Sequence, residues 1–230
     1  MNTIKKSLGF IGTFAILFII SCNKPATKPA NIPPAQTVTD TDGNVYHIVT
    51  IGSQVWMVEN LKTTKYRDGT QIPNVTDNTA WNNLTIGAYC DYNNTPSYSD
   101  IYGRLYNGYA VSSTNNICPK GWHVPSEAEW TTLTTFLGGK SIAGGKLKEN
   151  GNWSMPNEGA TNESGFSALP GGGRNSNGTF GGHFDSGGWW SCTVADKLSY
   201  DCHGIDYDNS SIYSGTSDMT VGHSVRCLKD

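Results

Sequence analysis

The chain has 230 residues, of which 15% are charged and 11% aromatic, and its formal net charge is −3 at pH 7. No basic stripe accompanies this balance. The composition therefore excludes a nucleic-acid-binding protein, which needs clustered Lys and Arg against phosphate.

The first 22 residues have the features of a bacterial secretory signal. Lys5 and Lys6 precede an almost wholly apolar run at residues 7–20, which is shorter than the ~20 residues of a membrane span. The run is followed by a small residue and Cys22, an ending that resembles a lipobox. We expect a signal peptide at residues 1–21 and lipidation of Cys22 in the cell envelope, at the outer membrane. The alternative is an ordinary signal peptide with a chance cysteine.

Residues 22–36 are predicted to be a lipid-anchored, disordered linker, because they are rich in proline and poor in bulky apolar residues. Removal of the signal peptide takes away two lysines and leaves 14 basic against 19 acidic residues, a net charge of 14 − 19 = −5. This mildly acidic chain is unsuited to general adhesion to anionic lipid. The N-terminal lipid is therefore the only membrane contact that we expect.

Residues 37–230 are long enough for one domain. The 27 Gly, 7 Trp and 11 Tyr of the chain predict an α+β domain with short strands, long loops and a core built on aromatic side chains. Residues 45–49 and 51–58 read as a β-hairpin that turns at Gly52-Ser53.

A second turn signal, Asp40-x-Asp42-Gly43-Asn44, is superficially similar to a calcium loop. It lacks the distal Glu ligand of that motif, so we interpret it as a turn. No motif supports calcium, no Cys/His cluster has zinc spacing, and no other cofactor is indicated.

The clearest helix is predicted over about 126–137. Ser126 and Glu129 have the spacing of a capping box, and Trp130 begins an apolar face at helical spacing. Gly138-Gly139 ends the helix. The acidic residues of the first turn thus have a structural role, and the composition leaves room for a second helix.

Five cysteines follow Cys22, and disulfides are the default in an oxidising compartment. Cys192 and Cys202 flank a hairpin-like stretch, so we expect them to pair. A bridge from Cys118 to Cys227 would join the middle of the domain to its last strand and contribute ~4 kcal/mol in the chain-entropy model. Cys90 is left as the odd thiol, although spacing alone does not determine connectivity.

No catalytic constellation is evident, and we predict that the protein is not an enzyme. His183 and Asp185 could form a base pair with Ser186 or Ser191 as nucleophile, but no Gly-x-Ser-x-Gly elbow surrounds either serine. Polar loop residues are the simpler interpretation.

A binding site is expected within residues 170–215, where planar hydrogen-bonding side chains alternate with aromatic residues, a combination that suits sugars. At least one of the adjacent tryptophans is expected to be buried. The candidate ligand-binding residues are Arg174, Asn175, His183, Asp185, Trp189, Trp190 and Tyr207.

Six segments carry a resemblance to a known family. They are DGNVYHIVTIGSQVWMVENLKT, GRLYNGYAV, ICPKGWHVPSEAEWTTL, AGGKLKENGNW, TNESGFSALPGGGRNSNGTF and HSVRCLKD. In this order they resemble the Fibrobacter succinogenes major paralogous domain over nearly all of residues 37–230. The resemblance implies a secreted or lipid-anchored bacterial protein and specifies no reaction.

A more distant likeness is to the formylglycine-generating, sulfatase-modifying family. The segment from His123 to Trp130 is similar to its LPTEAEWE helix start, and Val225-Arg226-Cys227 parallels its closing block. The likeness implies a C-type-lectin-like fold with both termini in one sheet. The family's copper-dependent cysteine oxidation is not carried over, because Cys192 and Cys202 lack its spacing and surrounding motif.

We expect a binding module on a lipid anchor that recognises a glycan or a surface protein. The alternatives are an enzyme, either of the sulfatase-modifying type or an unrecognised hydrolase, and a structural or adhesive surface subunit.

Overall fold

The structure is a computed structural model that describes residues 36–230. The predicted signal peptide, Cys22 and all but the last residue of the predicted linker lie outside the described residues. Within that part of the chain, no helix has the length and apolar character required to cross a bilayer.

Thirteen short strands supply most of the regular structure. In chain order they are β1 Thr37–Thr39, β2 Val45–Ile51, β3 Gln54–Met57, β4 Tyr89–Cys90, β5 Leu105–Asn107, β6 Trp122–His123, β7 Gly171–Arg174, β8 Phe180–His183, β9 Ser186–Asp196, β10 Ser199–Asp206, β11 Ile212–Asp218, β12 Gly222–His223 and β13 Leu228–Lys229.

The strands form two sheets. The smaller has the order β1-β2-β3-β13-β6, and the larger has the order β11-β10-β9-β7-β12-β5-β4, with β8 paired to β7. The hairpin at Gly52-Ser53 is confirmed, because Ile51 pairs with Gln54. The first and last strands lie in the same sheet, as the resemblance implied. Together with the helices, the sheets confirm an α+β fold.

Five α-helices and a 3₁₀ helix at Tyr92–Asn94 complete the part of the chain that the structure describes. The α-helices are α1 Asn78–Asn82, α2 Pro96–Tyr102, α3 Gly108–Val111, α4 Glu127–Phe136 and α5 Lys140–Leu147. The predicted capping box is present on α4, where the side chain of Ser126 accepts from the backbone of Glu129 and the Glu129 carboxylate accepts from the backbone of Ser126. These two bonds satisfy N–H groups that the first helical turn leaves unpaired.

Helices α4 and α5 cover one face of the larger sheet. Trp130 and Leu133 of α4 pack in one buried cluster with Trp189 of β9 and Ile205 of β10. The ring of His203 stacks on Trp130 with centroids 4.6 Å apart, and its Nε2 lies 2.6 Å from Glu127 Oε2. This face of the sheet is therefore filled.

The disulfide between Cys118 and Cys227 is confirmed, and Cys90 is a free buried thiol as predicted. The predicted bridge between Cys192 and Cys202 is wrong. The two strands do form a hairpin, but an irregularity shifts the register so that Cys202 pairs with Trp190. Cys192 lies two residues further along β9 and is exposed, whereas Cys202 is buried.

Candidate functional site

A cavity of about 290 Å³ lies on the glycine-rich strands of the larger sheet. Glycines of β7, β8 and β9 provide much of its lining, since Gly173, Gly181 and Gly188 all face it. Asn175, Ser186, Tyr213 and His223 add side chains to its wall. All but two of the lining residues, Val221 and His223, fall within the region 170–215 that the sequence indicated.

Some glycines of this cavity are required by the backbone conformation, some by the lack of space for a side chain, and one by neither. Gly172 and Gly182 have positive φ values of 63° and 75°, a conformation that favours glycine. A Cβ on Gly187 would lie 2.6 Å from the carbonyl oxygen of Leu169. Gly181 has neither restriction, because its φ is not positive and an added Cβ would meet nothing within 4 Å. At Gly181 the space stays open although a side chain would fit.

Tyr213 forms an aromatic wall. It pairs with Gly204 across β10 and β11, and a Cβ on that glycine would lie 2.1 Å from the tyrosine Cζ. The ring therefore lies directly over the glycine backbone, and 47% of the residue remains exposed. Burial, followed by the charge of Asp206, raises the pKa of Tyr213 to about 12. The phenol is consequently protonated at neutral pH.

His223 forms the opposite wall and joins a short polar chain. Its Nε2 lies 2.9 Å from Ser217 Oγ, which in turn lies 3.3 Å from Cys202 Sγ. The His223 Nδ1 is buried and has no hydrogen-bond partner. Burial lowers the pKa of His223 to about 4, so the ring is neutral at pH 7.

Arg174 and Asn175 are the two predicted ligand-binding residues that line the cavity. Asn175 is exposed, and its amide nitrogen donates to Thr179 Oγ1. Arg174 is fully buried, and its guanidinium donates to the carbonyl oxygens of Val75, Thr76 and Gly178. The prediction that this cation contacts a ligand is therefore corrected: it holds protein loops together.

The predicted ligand contacts by Trp189 and Trp190 are also wrong. Both side chains have no exposed surface. Their indole N–H groups donate to Asn60 Oδ1 and to the carbonyl oxygen of Tyr106. Adjacent residues of a strand point to opposite faces. Strand β9 is interior to its sheet, and Trp189 and Trp190 are buried in two different core clusters, so both faces are covered at this point.

His183, Asp185 and Tyr207 do not line the cavity. His183 is enclosed by aromatic rings, with centroids 4.8 Å from Tyr92 and 3.9 Å from Phe184. Its Nε2 is buried and has no hydrogen-bond partner. The His183–Asp185 base pair is only the alternative interpretation of this segment, and polar loop residues are the preferred one. Asp185 is exposed, and its carbonyl oxygen accepts from the backbone of half-buried Tyr207.

Ser186 and Ser191, the weighed nucleophiles, have no catalytic partner. Ser191 is buried, and its hydroxyl accepts from the backbone of Thr193. Ser186 donates to the carbonyl oxygen of Gly182. Among residues 36–230, no group of three or more His, Cys, Asp or Glu side chains is placed to hold a metal ion.

The aspartates of the loop at 40–44 make structural hydrogen bonds. Asp40 accepts from the backbone of Asp42 and from the hydroxyl of Tyr46, and Asp42 accepts from the hydroxyl of Thr64. These contacts support the interpretation of this segment as a turn.

Sequence reasoning missed Tyr213 and His223 as site residues. The two residues lie on β11 and β12, which are separated by three strands in the sheet order. Tyr213 lies inside the region singled out and is followed two residues later by a glycine, a pairing of ring and small residue that could have drawn attention. No local signal marks His223.

Comparison with known proteins agrees with the segment resemblance. The family model described as the Fibrobacter succinogenes major domain matches residues 49–229. The chain therefore belongs to this family. No curated protein and no solved structure matches it.

Proposed function

We propose that this member of the Fibrobacter succinogenes major domain family is a binding module of the cell envelope, and that the cavity between Tyr213 and His223 is its ligand seat. The observation that carries the proposal is the cavity itself. It lies on strands in the region where the sequence places polar and aromatic residues together. Concave sites with a few convergent polar groups are the usual form of ligand pockets.

The ligand class is a glycan or a surface protein. Tyr213 offers a half-exposed ring, and Asn175 and Ser186 offer an amide and a hydroxyl at the same cavity. This combination of an apolar face with planar hydrogen-bonding groups suits a sugar or a short extended peptide.

Binding is tested with the full chain on an array of glycans and on blotted envelope proteins, with and without EDTA. Wild-type binding that Tyr213→Ala weakens supports the proposal. Binding that withstands EDTA supports a site without a metal ion, and binding that is lost in EDTA and restored by added calcium indicates calcium. If no glycan and no protein is retained, the proposal fails.

The anchor is proposed to be lipid on Cys22, at the outer membrane. Its support is the apolar run and the Ser21-Cys22 ending that resembles a lipobox. Cells fed a labelled fatty acid should yield labelled wild type and unlabelled Cys22→Ala, which should also leave the membrane fraction. Equal label on both proteins would exclude Cys22 as the acceptor.

The fold is further proposed to be C-type-lectin-like. This finer assignment is supported by the short twisted sheets, by the capped helix α4 and by strands β1 and β13 in one sheet. A crystal structure whose strand connections differ from that fold would overturn it.

A second candidate, a serine hydrolase, is favoured by one observation: Ser217 Oγ lies 2.9 Å from His223 Nε2. A nucleophile beside a base is the minimal requirement for acyl transfer. The main proposal predicts no turnover of p-nitrophenyl esters or of sulfatase-type cysteine peptides. Ester hydrolysis that Ser217→Ala abolishes would establish the hydrolase, and peptide oxidation that Cys192→Ser abolishes would establish the sulfatase-modifying alternative.

A further inference from the structure

The side chains that line the cavity present no net charge to a ligand at neutral pH. His223 is neutral, the phenol of Tyr213 is protonated, and Asn175 and Ser186 carry no charge. The remaining cation, Arg174, is fully buried and directs its guanidinium at protein oxygens. An anionic ligand would therefore lose its hydration without gaining a charged partner, which is costly.

A carboxylate near the rim adds to this selectivity. Asp206 pairs with Ser186 across β9 and β10, and its charge contributes to the raised pKa of Tyr213. An acidic ligand bound against Tyr213 would meet a like charge. Uncharged ligands avoid both costs.

The shape of the cavity limits what can enter it. Its volume of about 290 Å³ is at the small end of the range for ligand pockets, roughly 300–1,000 Å³. The glycine floor exposes backbone without side chains, and Tyr213 supplies a flat wall. At Gly181 an added Cβ would meet nothing within 4 Å, so neither packing nor backbone conformation explains the missing side chain.

We propose that the cavity seats a single uncharged sugar ring, with one face of the ring against Tyr213 and its hydroxyls toward Asn175 and Ser186. This inference rests on the proposed function, since it narrows the ligand class of the same seat. It distinguishes neutral sugars from uronic acids and sugar phosphates, which carry the same ring with an added charge.

The test uses matched sugars immobilised on beads, glucose with glucuronic acid and galactose with galacturonic acid. The full chain is applied in a detergent that has no sugar headgroup. We expect retention on at least one neutral sugar and roughly tenfold less on its acid partner, because burying an unpaired charge is unfavourable. Salt should reduce only the part of the preference that comes from the charge of Asp206. Retention on the neutral sugar should be constant between about pH 5.5 and 8, since neither His223 nor Tyr213 titrates there.

Two glycine variants test whether the sugar binds in this cavity. Gly181→Val fills the cavity floor and should reduce retention at least tenfold, whereas Gly215→Val is the matched control. Gly215 also lies in a strand, has open space for a Cβ and does not line this cavity. Circular dichroism checks that both variants are folded, and Tyr213→Ala replaces Gly181→Val if the latter is not.

The outcomes distinguish failure of the neutral-sugar inference from failure of the proposed binding function. Stronger retention on the uronic acids, weakened by salt and by Gly181→Val, overturns the neutral-sugar inference and leaves the seat in place. Neutral-sugar binding that Gly181→Val and Tyr213→Ala leave intact overturns both. If no sugar is retained, the inference is wrong, and the proposed function is then decided by the binding of envelope proteins.

Discussion

The two faces of the β9–β10 hairpin share one backbone but differ in what covers them near Gly188 and Gly204. On one face, Trp189, His203 and Ile205 pack against helices α4 and α5 and leave no exposed surface on Trp189. On the other, Gly188 and Gly204 lie beneath His223 and Tyr213 and leave a cavity. The cavity forms because these glycines have no side chains to fill the space. The second face also buries Trp190 in the core, so the cavity lies only where glycines replace larger side chains.

The two faces should differ most in the loss of unfolding free energy when an aromatic side chain on each face is replaced by alanine. Trp189→Ala should lower the free energy of unfolding by about 3–5 kcal/mol, since it leaves a cavity in a filled core and removes the indole N–H that donates to Asn60 Oδ1, an oxygen that Arg226 continues to pair. Tyr213→Ala should cost about 1 kcal/mol or less, because half of that side chain is already exposed. Guanidinium unfolding measures both, and equal losses would contradict the contrast.

Acid should lower the free energy of unfolding because His223, on the cavity face, becomes protonated. Its ring is surrounded by Trp190, Ser217 and Gly188, without a carboxylate among these contacts, and burial lowers its pKa to about 4. A lowered histidine pKa gives stability that is present above the unfolded value of ~6.5 and is lost as pH falls toward 4.

The expected loss from His223 is up to ~3 kcal/mol between pH 6.5 and 4. Urea unfolding across this range should show it in the wild type and show a loss smaller by about that amount in His223→Gln. Parallel pH profiles for the two proteins would show that His223 is not the group responsible.

A smaller effect is expected at the helix that covers the filled face. Ser126→Ala removes the side-chain acceptor at the start of α4 and should cost about 1 kcal/mol. Ser141→Ala, an exposed position within α5, serves as the control with little change. Thermal unfolding of the three proteins measures the difference, and a neutral Ser126→Ala would mean that the capping box does not stabilise α4.

How far the sequence predicts this molecule depends on whether a feature is local. The Gly52-Ser53 turn and the capping box at Ser126 depend on residues within four positions of one another, so their chemistry can be read directly. The Cys118–Cys227 bridge spans 109 residues and is still predicted, because disulfides are the default in an oxidising compartment and this one joins the middle of the domain to its last strand. Cys192 and Cys202 flank a hairpin-like stretch, which predicts that they pair, and this prediction is wrong because the register shift between β9 and β10 leaves no trace in the spacing.

The site was predicted as a region and not as a set of side chains. Composition pointed to residues 170–215, but it could not tell that β9 is interior to its sheet, so Trp189 and Trp190 were counted as ligand contacts. His223 enters the site only because β12 pairs with β7 and β5. Such pairings depend on the whole topology and have no local signature.

The smallest expected effects on the free energy of unfolding come from replacing a glycine that the fold requires, Gly187, and one that it does not require, Gly181. Gly181→Ala should raise the free energy of unfolding by about 0.4–1 kcal/mol, because the unfolded chain loses freedom while the Cβ enters open space. Gly187→Ala, on the neighbouring strand β9, should lower it by about 1–3 kcal/mol, since its Cβ would clash with the carbonyl oxygen of Leu169. Urea unfolding gives the sign of each change. If Gly181→Ala lowers the free energy of unfolding, this glycine is needed for folding. The presence of glycine at position 181 would then give no support to a ligand-binding cavity.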